Sequence, residues 1–267
     1  MNTINRLVSD ELWEVVEPHL PLAPPRSGGG RPRVPARVVF SGIIYVLKTG
    51  IPWVLLPREF DCSGVTCWRR LRDWRRAEVF GKLHRVLLNQ LGRAAQIDWS
   101  RASLDSASIP AKRGQKTGPN PLDRGKPGSK RHILTDTAGI PLAGLLTAAN
   151  VHDSKVFEEL VDSVMPIKGK RGRPRKRPDK LHADKRYDYP RCRQTLRKRG
   201  IKARIARKGV ESSERLGRWR WVVERTFSWI ACYRRLVVRY ERRADIHEAF
   251  LQLACCLICF RRLQNRF

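Results

Sequence analysis

Three acidic residues lie in contexts that could bring their carboxylates to one metal site. Asp184 follows a short apolar run and precedes a polar turn with an aromatic residue, as at the end of a buried strand. Asp105 lies where small polar and apolar residues alternate, which is typical of a strand. Glu224 lies in a segment with apolar residues at helical spacing. We hypothesise that these three acids share a metal site.

The chemistry that such carboxylates support is metal-dependent phosphodiester cleavage. Hard divalent cations such as Mg²⁺ prefer oxygen ligands and are usually held by few carboxylates, which leaves room for water and substrate phosphates. Two such ions a few ångströms apart can activate an attacking oxygen and stabilise a leaving oxygen. Acids drawn from two strands and a helix can supply this arrangement.

The residues around Glu224 predict a helix whose apolar stripe packs on the rest of the chain. The stripe consists of Trp219, Val222, Val223, Thr226 and Ile230. Glu224 lies beside the stripe, four residues after Arg220 and three before Phe227. This position suits a site at the edge of a sheet. A purely structural ion pair of Glu224 with Arg220 or Arg225 is the alternative interpretation.

The charge balance indicates a protein that binds nucleic acid. Lysine and arginine number 55 against 25 aspartate and glutamate residues, which gives a net charge of +30 and a pI near 11.0. Such a field attracts phosphate backbones. Binding to a membrane surface would instead favour basic amphipathic helices beside an anchor, and no such segment stands out. We therefore predict a nucleic-acid partner and no membrane association.

Three basic segments could contact a phosphate backbone. They are a helix that begins at Ser63, the loop 112–130 and the run 168–177. The residues in them that we predict to contact DNA are Arg69, Arg70, Arg72, Arg75, Lys126, Lys130, Arg171 and Arg173. The alternatives are a solvated basic face for the helix, disorder for the long first loop, and a solvated linker for the second.

The sequence predicts a cytoplasmic protein with reduced thiols. Acidic residues from Asp10 to Glu17 interrupt the N-terminal segment, so no secretory signal is visible. The longest apolar run, 249–260, is too short to span a bilayer. The 7 cysteines show no zinc-ligand spacing, and three of them lie in this apolar run, as expected of buried thiols.

The pattern of elements divides the chain into a helical part and a mixed α/β part. Residues 1–92 read as helices. Two of these helices, joined by a short linker and the second strongly basic, resemble a helix-turn-helix reader of DNA. From residue 98, strands, a crossover helix, more strands and two long helices indicate a sheet with helices against it. We predict domains at 1–92 and 98–267.

Together these segments resemble the DDE transposases of bacterial insertion sequences, of the insertion-sequence-five type that carries a helical domain before the catalytic part. The similarity covers nearly the whole chain, and its motifs are specific as a set although none is specific alone. The matching motifs are Ser9-Asp-Glu-Leu-Trp13, Gly30-Arg-Pro-Arg33, Ser103-Leu-Asp-Ser-Ala107, Gly118-Pro-Asn-Pro121, Asp123-Arg-Gly-Lys-Pro-Gly-Ser-Lys130, Ala149-Asn-Val-His-Asp-Ser154, Ala183-Asp-Lys-Arg-Tyr-Asp188, Arg220-Trp-Val-Val-Glu-Arg-Thr-Phe227 and Arg239-Tyr-Glu-Arg-Arg243.

The resemblance implies an RNase H-like mixed α/β sheet flanked by helices and preceded by a small all-α, helix-turn-helix-like domain. Asp105, Asp184 and Glu224 fall where the family's catalytic, metal-binding acids belong. The implied cofactor is Mg²⁺, as two ions for which Mn²⁺ substitutes, and the implied partner is double-stranded DNA. Arg220 matches the family's arginine four residues before the glutamate. We expect Arg220 and the neighbouring Arg225 to contact DNA.

The function implied by the resemblance is that of a transposase. Such an enzyme binds the terminal inverted repeats of its element, cleaves phosphodiesters there by attack of water, and joins the freed 3′-hydroxyl to target DNA. Two DNA ends must be handled, so a homodimer or a larger synaptic complex is expected. We assign His152 and Asp153, which lie in one of the matching motifs, to a loop or to the surroundings of the site rather than to acid–base catalysis.

One departure from the family is Arg186, at a position where relatives usually have glycine. If this position needs a positive φ, arginine would be strained by about 1–3 kcal/mol and would shift Asp184. If it accommodates the DNA backbone, arginine would crowd it or add a phosphate contact. The alternative function is therefore a catalytically impaired, sequence-specific DNA-binding protein, a relic or regulator that retains the transposase scaffold. A nuclease of the same fold without end specificity is a third possibility.

Overall fold

The computed structural model describes residues 7–22, 32–209 and 213–265, apart from the side chains of residues 213–220. The helices that precede the sheet are α1 (Asp10–Val16), α2 (Ala36–Thr49), α3 (Gly64–Arg76) and α4 (Val79–Arg93).

Residues at the ends of these helices cap them. The Ser9 hydroxyl accepts a hydrogen bond from the backbone N–H of Leu12 at the start of α1. Gly50 ends α2 with a φ of 76°, a conformation that glycine adopts without steric cost.

The connection between α2 and α3 is longer than the short linker expected from the sequence. Residues 50–63 include two short 3₁₀ turns, whereas the turn of a helix-turn-helix has three or four residues. The first of these turns packs closely on the start of α3. A Cβ atom at Gly64 would lie 1.8 Å from the carbonyl oxygen of Trp53, so only glycine fits there. The connection is therefore an ordered part of the helical region.

A six-stranded mixed sheet forms the centre of the rest of the chain. Its strands are β1 (Ala102–Pro110), β2 (Gly118–Pro119), β3 (Pro127–Asp136), β4 (Pro141–Ala148), β5 (Lys180–Ala183) and β6 (Lys202–Ile205). Strand β3 pairs antiparallel with β1, β2 and β4, while β5 pairs in parallel with both β1 and β6. Strand β1 therefore lies between an antiparallel and a parallel neighbour at its N-terminal end, where Ala102 and Ser103 pair with β5.

Helices cover this sheet. They are α5 (Phe157–Asp162), α6 (Pro190–Lys198), α7 (Ser213–Ala231) and α8 (Ala244–Leu263). Helix α7 packs on β1 and β3, and α8 packs on β4 and on the N-terminal helix α4. The mixed sheet flanked by helices, with a helical region before it, confirms the fold class expected from the sequence.

The N-terminal helices and the sheet region share one hydrophobic core. The Nε2 atom of His84 in α4 lies 2.9 Å from the carbonyl oxygen of Pro141 at the start of β4. Arg235, which is buried, contacts the carbonyl oxygens of Gly50 and Ile51 at 3.3 and 3.2 Å. The helical region therefore packs directly against the sheet region.

Burial of His84 predicts a measurable dependence of stability on pH. Desolvation lowers the pKa of this imidazole from 6.5 to about 4, so the folded chain keeps it neutral while the unfolded chain protonates it. The unfolded state binds more protons between these values, and stability therefore falls as the pH is lowered. We expect His84 to account for a loss of about 2 kcal/mol between pH 8 and pH 5.

Denaturant unfolding at a series of pH values, compared between the wild type and His84→Gln, measures this contribution. The variant should lose less stability than the wild type between pH 6.5 and 5. Identical pH profiles would show that the pKa of His84 is the same in the folded and the unfolded chain.

Among the residues that the structure describes, no helix is both long and apolar enough to cross a membrane.

Candidate active site and DNA interface

The pairing of β1 with β5 brings two of the three predicted acids together. The strands run in parallel, with Ala102 opposite Leu181 and Ser103 opposite His182. The same offset, continued for two more residues, places Asp105 opposite Asp184. Asp184 lies one residue beyond the end of β5. The paired residues end at Ser103 and His182, and the continued register brings Asp105 in β1 beside Asp184 just after β5.

Backbone N–H groups orient both carboxylates. Oδ1 of Asp105 accepts a hydrogen bond from the N–H of Ser106 at 2.8 Å. Oδ1 of Asp184 accepts from the N–H of Arg186 at 2.9 Å and so caps the 3₁₀ turn Lys185–Tyr187. Asp184 is buried, and both acids make further polar interactions. Because the cap bond uses a backbone donor, it fixes the Asp184 carboxylate whatever side chain stands at position 186.

Tyr187 lies beneath this group of acids. Its ring is buried and packs against Phe157 with the ring centroids 5.6 Å apart. Burial raises the pKa of the Tyr187 hydroxyl well above its usual value, and the charges of Asp153, Asp105 and Asp184 raise it further. The phenol therefore stays protonated.

Glu224, the third predicted acid, lies on the helix that covers these strands. Helix α7 packs on both β1 and β5. The predicted buried stripe is confirmed at Val222, Val223, Thr226 and Ile230, while Trp219 lies outside the described side chains. The Thr226 hydroxyl donates to the carbonyl oxygen of Gly139 at 2.8 Å and ties the helix to the β3–β4 turn. The Glu224 side chain is exposed and makes further polar interactions.

The described residues offer oxygen donors for a metal ion without forming a closed cage. No three His, Cys, Asp or Glu side chains in the described part of the chain are grouped closely enough to hold an ion by themselves. Mg²⁺ usually takes one or two carboxylates and completes its shell with water and substrate phosphates. The opposed pair Asp105 and Asp184 fits this kind of open site.

The structure excludes backbone strain at Arg186. Every described non-glycine residue with a positive φ lies elsewhere, and Arg186 is part of the short 3₁₀ turn. Its half-exposed guanidinium lies between two acids, with Nη1 3.8 Å from Oδ2 of Asp153 and Nε 4.0 Å from Oδ2 of Asp184. The arginine therefore leaves the position of Asp184 intact and adds a cation beside it.

A buried ion pair next to the site was not foreseen from the sequence. Nζ of Lys130 lies 2.8 Å from Oδ1 of Asp153, and both side chains are buried. Nζ also donates to the carbonyl oxygen of Val151 at 2.9 Å. Lys130, which we predicted to contact DNA, is thus engaged inside the protein. The only signal for Asp153 was its place in a motif shared with the family.

The four arginines of α3 that we predicted to contact DNA differ in their surroundings. Arg69 is exposed and Arg70 is half-buried, and both line a groove of about 440 Å³. Arg72 pairs with Asp73 at 2.8 Å and stacks on Trp68. Arg75 pairs with Glu78 at 2.6 Å and, on α8, with Glu248 at 3.6 Å. Arg69 is therefore the most exposed of the four arginines.

The remaining predicted DNA contacts fall into three groups. Lys126, Arg171 and Arg173 are exposed. The side chain of Arg220 lies outside the described residues. Arg225 donates to the carbonyl oxygen of Ala138 at 2.6 Å, and its guanidinium lies 4.5 and 4.9 Å from the ring centroids of Trp221 and Trp229. Arg225 thus has a structural role on α7, beside Glu224.

Two family models match the chain. The model described as a putative transposase of the IS4/5 family matches residues 8–84. The model described as a transposase DDE domain matches residues 97–259. The first match lies in the helical region and the second covers the whole sheet.

Two proteins of Burkholderia cepacia are similar in sequence. The putative transposase for insertion sequence element IS402 is 54% identical over 150 residues, which cover 56% of this chain and 71% of that protein. The insertion element IS402 uncharacterized 16.2 kDa protein is 52% identical over 119 residues, which cover 43% of this chain and 81% of that protein.

Solved structures of the Mos1 transposase resemble the chain at a low level. A Mos1 paired-end complex with the left transposon end is 10% identical, with a TM-score of 0.27 and coverage of 88% of this chain and 82% of that chain. A pre-cleavage Mos1 transpososome is 11% identical, with a TM-score of 0.29 and coverage of 90% of this chain and 82% of that chain.

The family assignment rests on the matches in sequence. The DDE domain model spans more than half of the chain, and the IS4/5 model covers most of the helical region before it. The resemblance inferred from the sequence motifs is thereby confirmed. Proteins with this domain depend on divalent metal ions and act on DNA. The chain belongs to the transposase DDE domain family and is a DDE-type transposase of the IS4/5 group.

Proposed function

We propose that the transposase binds the terminal inverted repeats of its insertion sequence, cleaves DNA there and joins the 3′-hydroxyl ends to target DNA. The observation that supports this proposal is the parallel pairing of β1, which carries Asp105, with β5, which ends one residue before Asp184. Helix α7, which carries Glu224, packs on both strands. Three such acids can supply the oxygen ligands for two metal ions, which stabilise the attacking and leaving oxygens of a phosphodiester displacement.

Asp105, Asp184 and Glu224 would hold the divalent metal ions, which we propose to be two Mg²⁺ ions with Mn²⁺ as a substitute. When bound, such ions lower the pKa of an attacking water and neutralise charge on the leaving oxygen. The backbone N–H groups that hold Oδ1 of each aspartate fix the direction in which the carboxylates face. The chain thereby supplies a preorganised, incomplete metal site that substrate phosphates complete.

Hydrolysis by water, without a covalent protein–DNA intermediate, is consistent with the surroundings of Tyr187. A tyrosine nucleophile needs an accessible phenol that can lose its proton. The Tyr187 ring is buried, and its pKa is raised by burial and by three neighbouring carboxylates. This phenol is therefore unsuited to attack a phosphate, and it serves as packing beneath the acids.

Exposed cations on both parts of the chain would hold the DNA. Arg69 lies on α3, Lys126 on the turn before β3, and Arg171 and Arg173 on the segment between α5 and β5. Such contacts neutralise phosphates without reading the base sequence. Because two DNA ends must be brought together, we propose that the protein acts as a homodimer or a larger synaptic complex.

A cleavage assay on end-containing DNA tests the proposed function. Duplexes that carry the inverted repeat and its flank should be cut at the repeat boundary in the presence of Mg²⁺ or Mn²⁺ and not in EDTA. A duplex of the same composition with a scrambled repeat is the matched control. Equal cleavage of both duplexes would indicate a non-specific nuclease, and end binding without any cleavage would indicate an inactive DNA-binding protein.

A further inference from the structure

Two cysteines at the start of α3 bring their sulfur atoms into contact. Ser63 caps this helix, and its hydroxyl accepts a hydrogen bond from the N–H of Thr66 at 3.2 Å. Cys62 precedes the cap, and Cys67 is the fourth residue of the helix. Side chains at these two positions pack against each other across a helix cap. The Sγ atoms of Cys62 and Cys67 accordingly lie 3.3 Å apart.

The neighbouring helix α2 leaves room for the two sulfur atoms. Gly42 is buried inside α2, and a Cβ atom at this position would lie 2.8 Å from Sγ of Cys67 and 3.7 Å from Sγ of Cys62. Glycine inside a helix lowers the stability of that helix. The contact with the two thiols gives a physical reason for glycine here, because a larger side chain would push the sulfur of Cys67 aside.

The two thiols differ in exposure and in acidity. Cys67 is fully buried, and its Sγ also lies 3.7 Å from the carbonyl oxygen of Val39. Cys62 is only half-buried. A hydrogen bond from the Cys67 thiol lowers the pKa of Cys62, whereas the same contact, together with burial, raises the pKa of Cys67. Cys62 is therefore the thiol that a reagent in solution reaches, and it has the larger thiolate fraction.

Cys62 lines the basic groove beside α3. The groove of about 440 Å³ is also lined by Arg33, Arg69 and Arg70, with Asp61 at the same edge. Guanidinium groups and the start of a helix both favour a thiolate over a thiol. A chemical change at Cys62 therefore alters the wall of a groove that offers cations to phosphates.

We propose that Cys62 and Cys67 form a redox-sensitive pair that hydrogen peroxide closes to a disulfide, and that closure weakens the binding of DNA along α3. The Cys62 thiolate attacks the peroxide and becomes a sulfenic acid, while the second oxygen leaves as hydroxide and takes up the proton that Cys62 had released. The Cys67 sulfur then bonds to the Cys62 sulfur, and the hydroxyl group leaves with the Cys67 proton as water. Two thiols and one peroxide give one disulfide and two waters.

Closure changes the geometry at the start of α3. The sulfur atoms must approach by about 1.3 Å, because an S–S bond measures about 2.05 Å. Cys67 is packed in the core against α2, so the movement falls mainly on Cys62 and on the cap that follows it. Cys62 then leaves the wall of the groove, and the first turn of α3 shifts just before Arg69 and Arg70. The effect on DNA rests on the proposed function, whereas formation of the disulfide does not.

Mass spectrometry of the peroxide-treated full chain tests closure directly. Trypsin cleaves after Arg58 and Arg69, so one peptide contains both cysteines. After treatment with hydrogen peroxide and alkylation in denaturant, this peptide should carry no alkyl group and be two hydrogen atoms lighter than its reduced form. Dithiothreitol should reverse the change. Alkylation of Cys62 and Cys67 as complete as that of the buried Cys255 at every peroxide concentration would overturn the inference.

A DNA-binding titration of the reduced and the oxidised protein tests the consequence. Oxidation should weaken binding of the end duplex about tenfold, because phosphate contacts along α3 are lost, and dithiothreitol should restore the affinity. Cys62→Ser and Cys67→Ala should each bind equally well with and without peroxide, and two variants at different positions guard against a folding defect in either. Cys232→Ser, which removes an exposed thiol just after α7, is the matched control and should respond as the wild type. A disulfide that leaves the affinity unchanged would overturn the proposed effect on DNA.

The duplex with the scrambled repeat separates these outcomes from failure of the proposed function. Phosphate contacts do not read the base sequence, so oxidation should weaken the binding of both duplexes. If the end duplex is neither preferred nor cut but oxidation weakens both complexes, the proposed function fails and the redox pair stands. If the end duplex is bound and cut equally well in both redox states, the inference fails and the proposed function stands.

Discussion

Asp184→Asn is expected to slow cleavage at the element end by about 10³-fold or more, because each roughly 1.4 kcal/mol of lost transition-state stabilisation costs a factor of ten and a metal site supplies several kcal/mol. The amide keeps the shape of the side chain, and its oxygen can still accept from the N–H of Arg186. Binding of end DNA should therefore change little. Single-turnover cleavage and a gel-shift titration on the same preparation measure the two quantities.

Asp179→Asn is the matched control for this substitution. Asp179 lies just before β5, is exposed and pairs with Arg175 at the surface. Loss of a surface ion pair alters stability by about 0–1 kcal/mol, so cleavage should stay near the wild-type rate. If Asp184→Asn cut as fast as Asp179→Asn, Asp184 would not be a catalytic acid.

Arg239→Ala is expected to destabilise the fold by about 3 kcal/mol or more, because a buried polar group that loses its hydrogen-bond partner costs about 1–3 kcal/mol and this side chain has several partners. Arg239 is fully buried after α7. Its guanidinium donates to the carbonyl oxygens of Lys116 and Glu241 at 3.0 Å each and to the Ser129 hydroxyl at 2.7 Å. Without it the Glu241 carbonyl oxygen would lose this donor, and the Lys116 carbonyl oxygen would keep only its hydrogen bond from the Ser129 hydroxyl at 2.7 Å.

The effect of Arg239→Ala should be largest on the turn between β2 and β3. Lys116 precedes this turn and Ser129 follows it, so loss of the guanidinium would release both of its flanks. Denaturant unfolding and limited proteolysis of the 112–130 segment measure the change. Arg242→Ala is the matched control, because its side chain is exposed and only its backbone carbonyl takes part in this network. Equal stability of the two variants would contradict the assigned role.

Much of the fold could be predicted from the sequence because local chemistry specifies it. Ser9 and Ser63 cap their helices through hydrogen bonds to nearby N–H groups, and Gly50 ends α2. Residues Thr137–Gly139 form the turn between β3 and β4, as their sequence indicated. The apolar spacing around Glu224 identified the buried face of α7. These signals act within a few residues, so a single sequence carries them.

Features that depend on contacts distant in sequence were not predicted. The Lys130–Asp153 ion pair joins residues from β3 and from the segment after β4, and no local pattern distinguishes this buried lysine from the exposed Lys126. The guanidinium of Arg239 had no assigned role, although its motif matched the family. The concern about Arg186 rested on a positive φ that the 3₁₀ turn does not require. Tertiary packing decides each of these points.

The central claim, that Asp105, Asp184 and Glu224 bind the catalytic metal ions together, is tested most directly by Mn²⁺ binding to the complex of the protein with end DNA. Electron paramagnetic resonance of free Mn²⁺ gives the number of bound ions and their affinity. The wild type and Asp179→Asn should bind two ions per active site. Asp105→Asn, Asp184→Asn and Glu224→Gln should each lose an ion or bind roughly tenfold more weakly or worse. Unchanged Mn²⁺ binding in all three variants would contradict the claim.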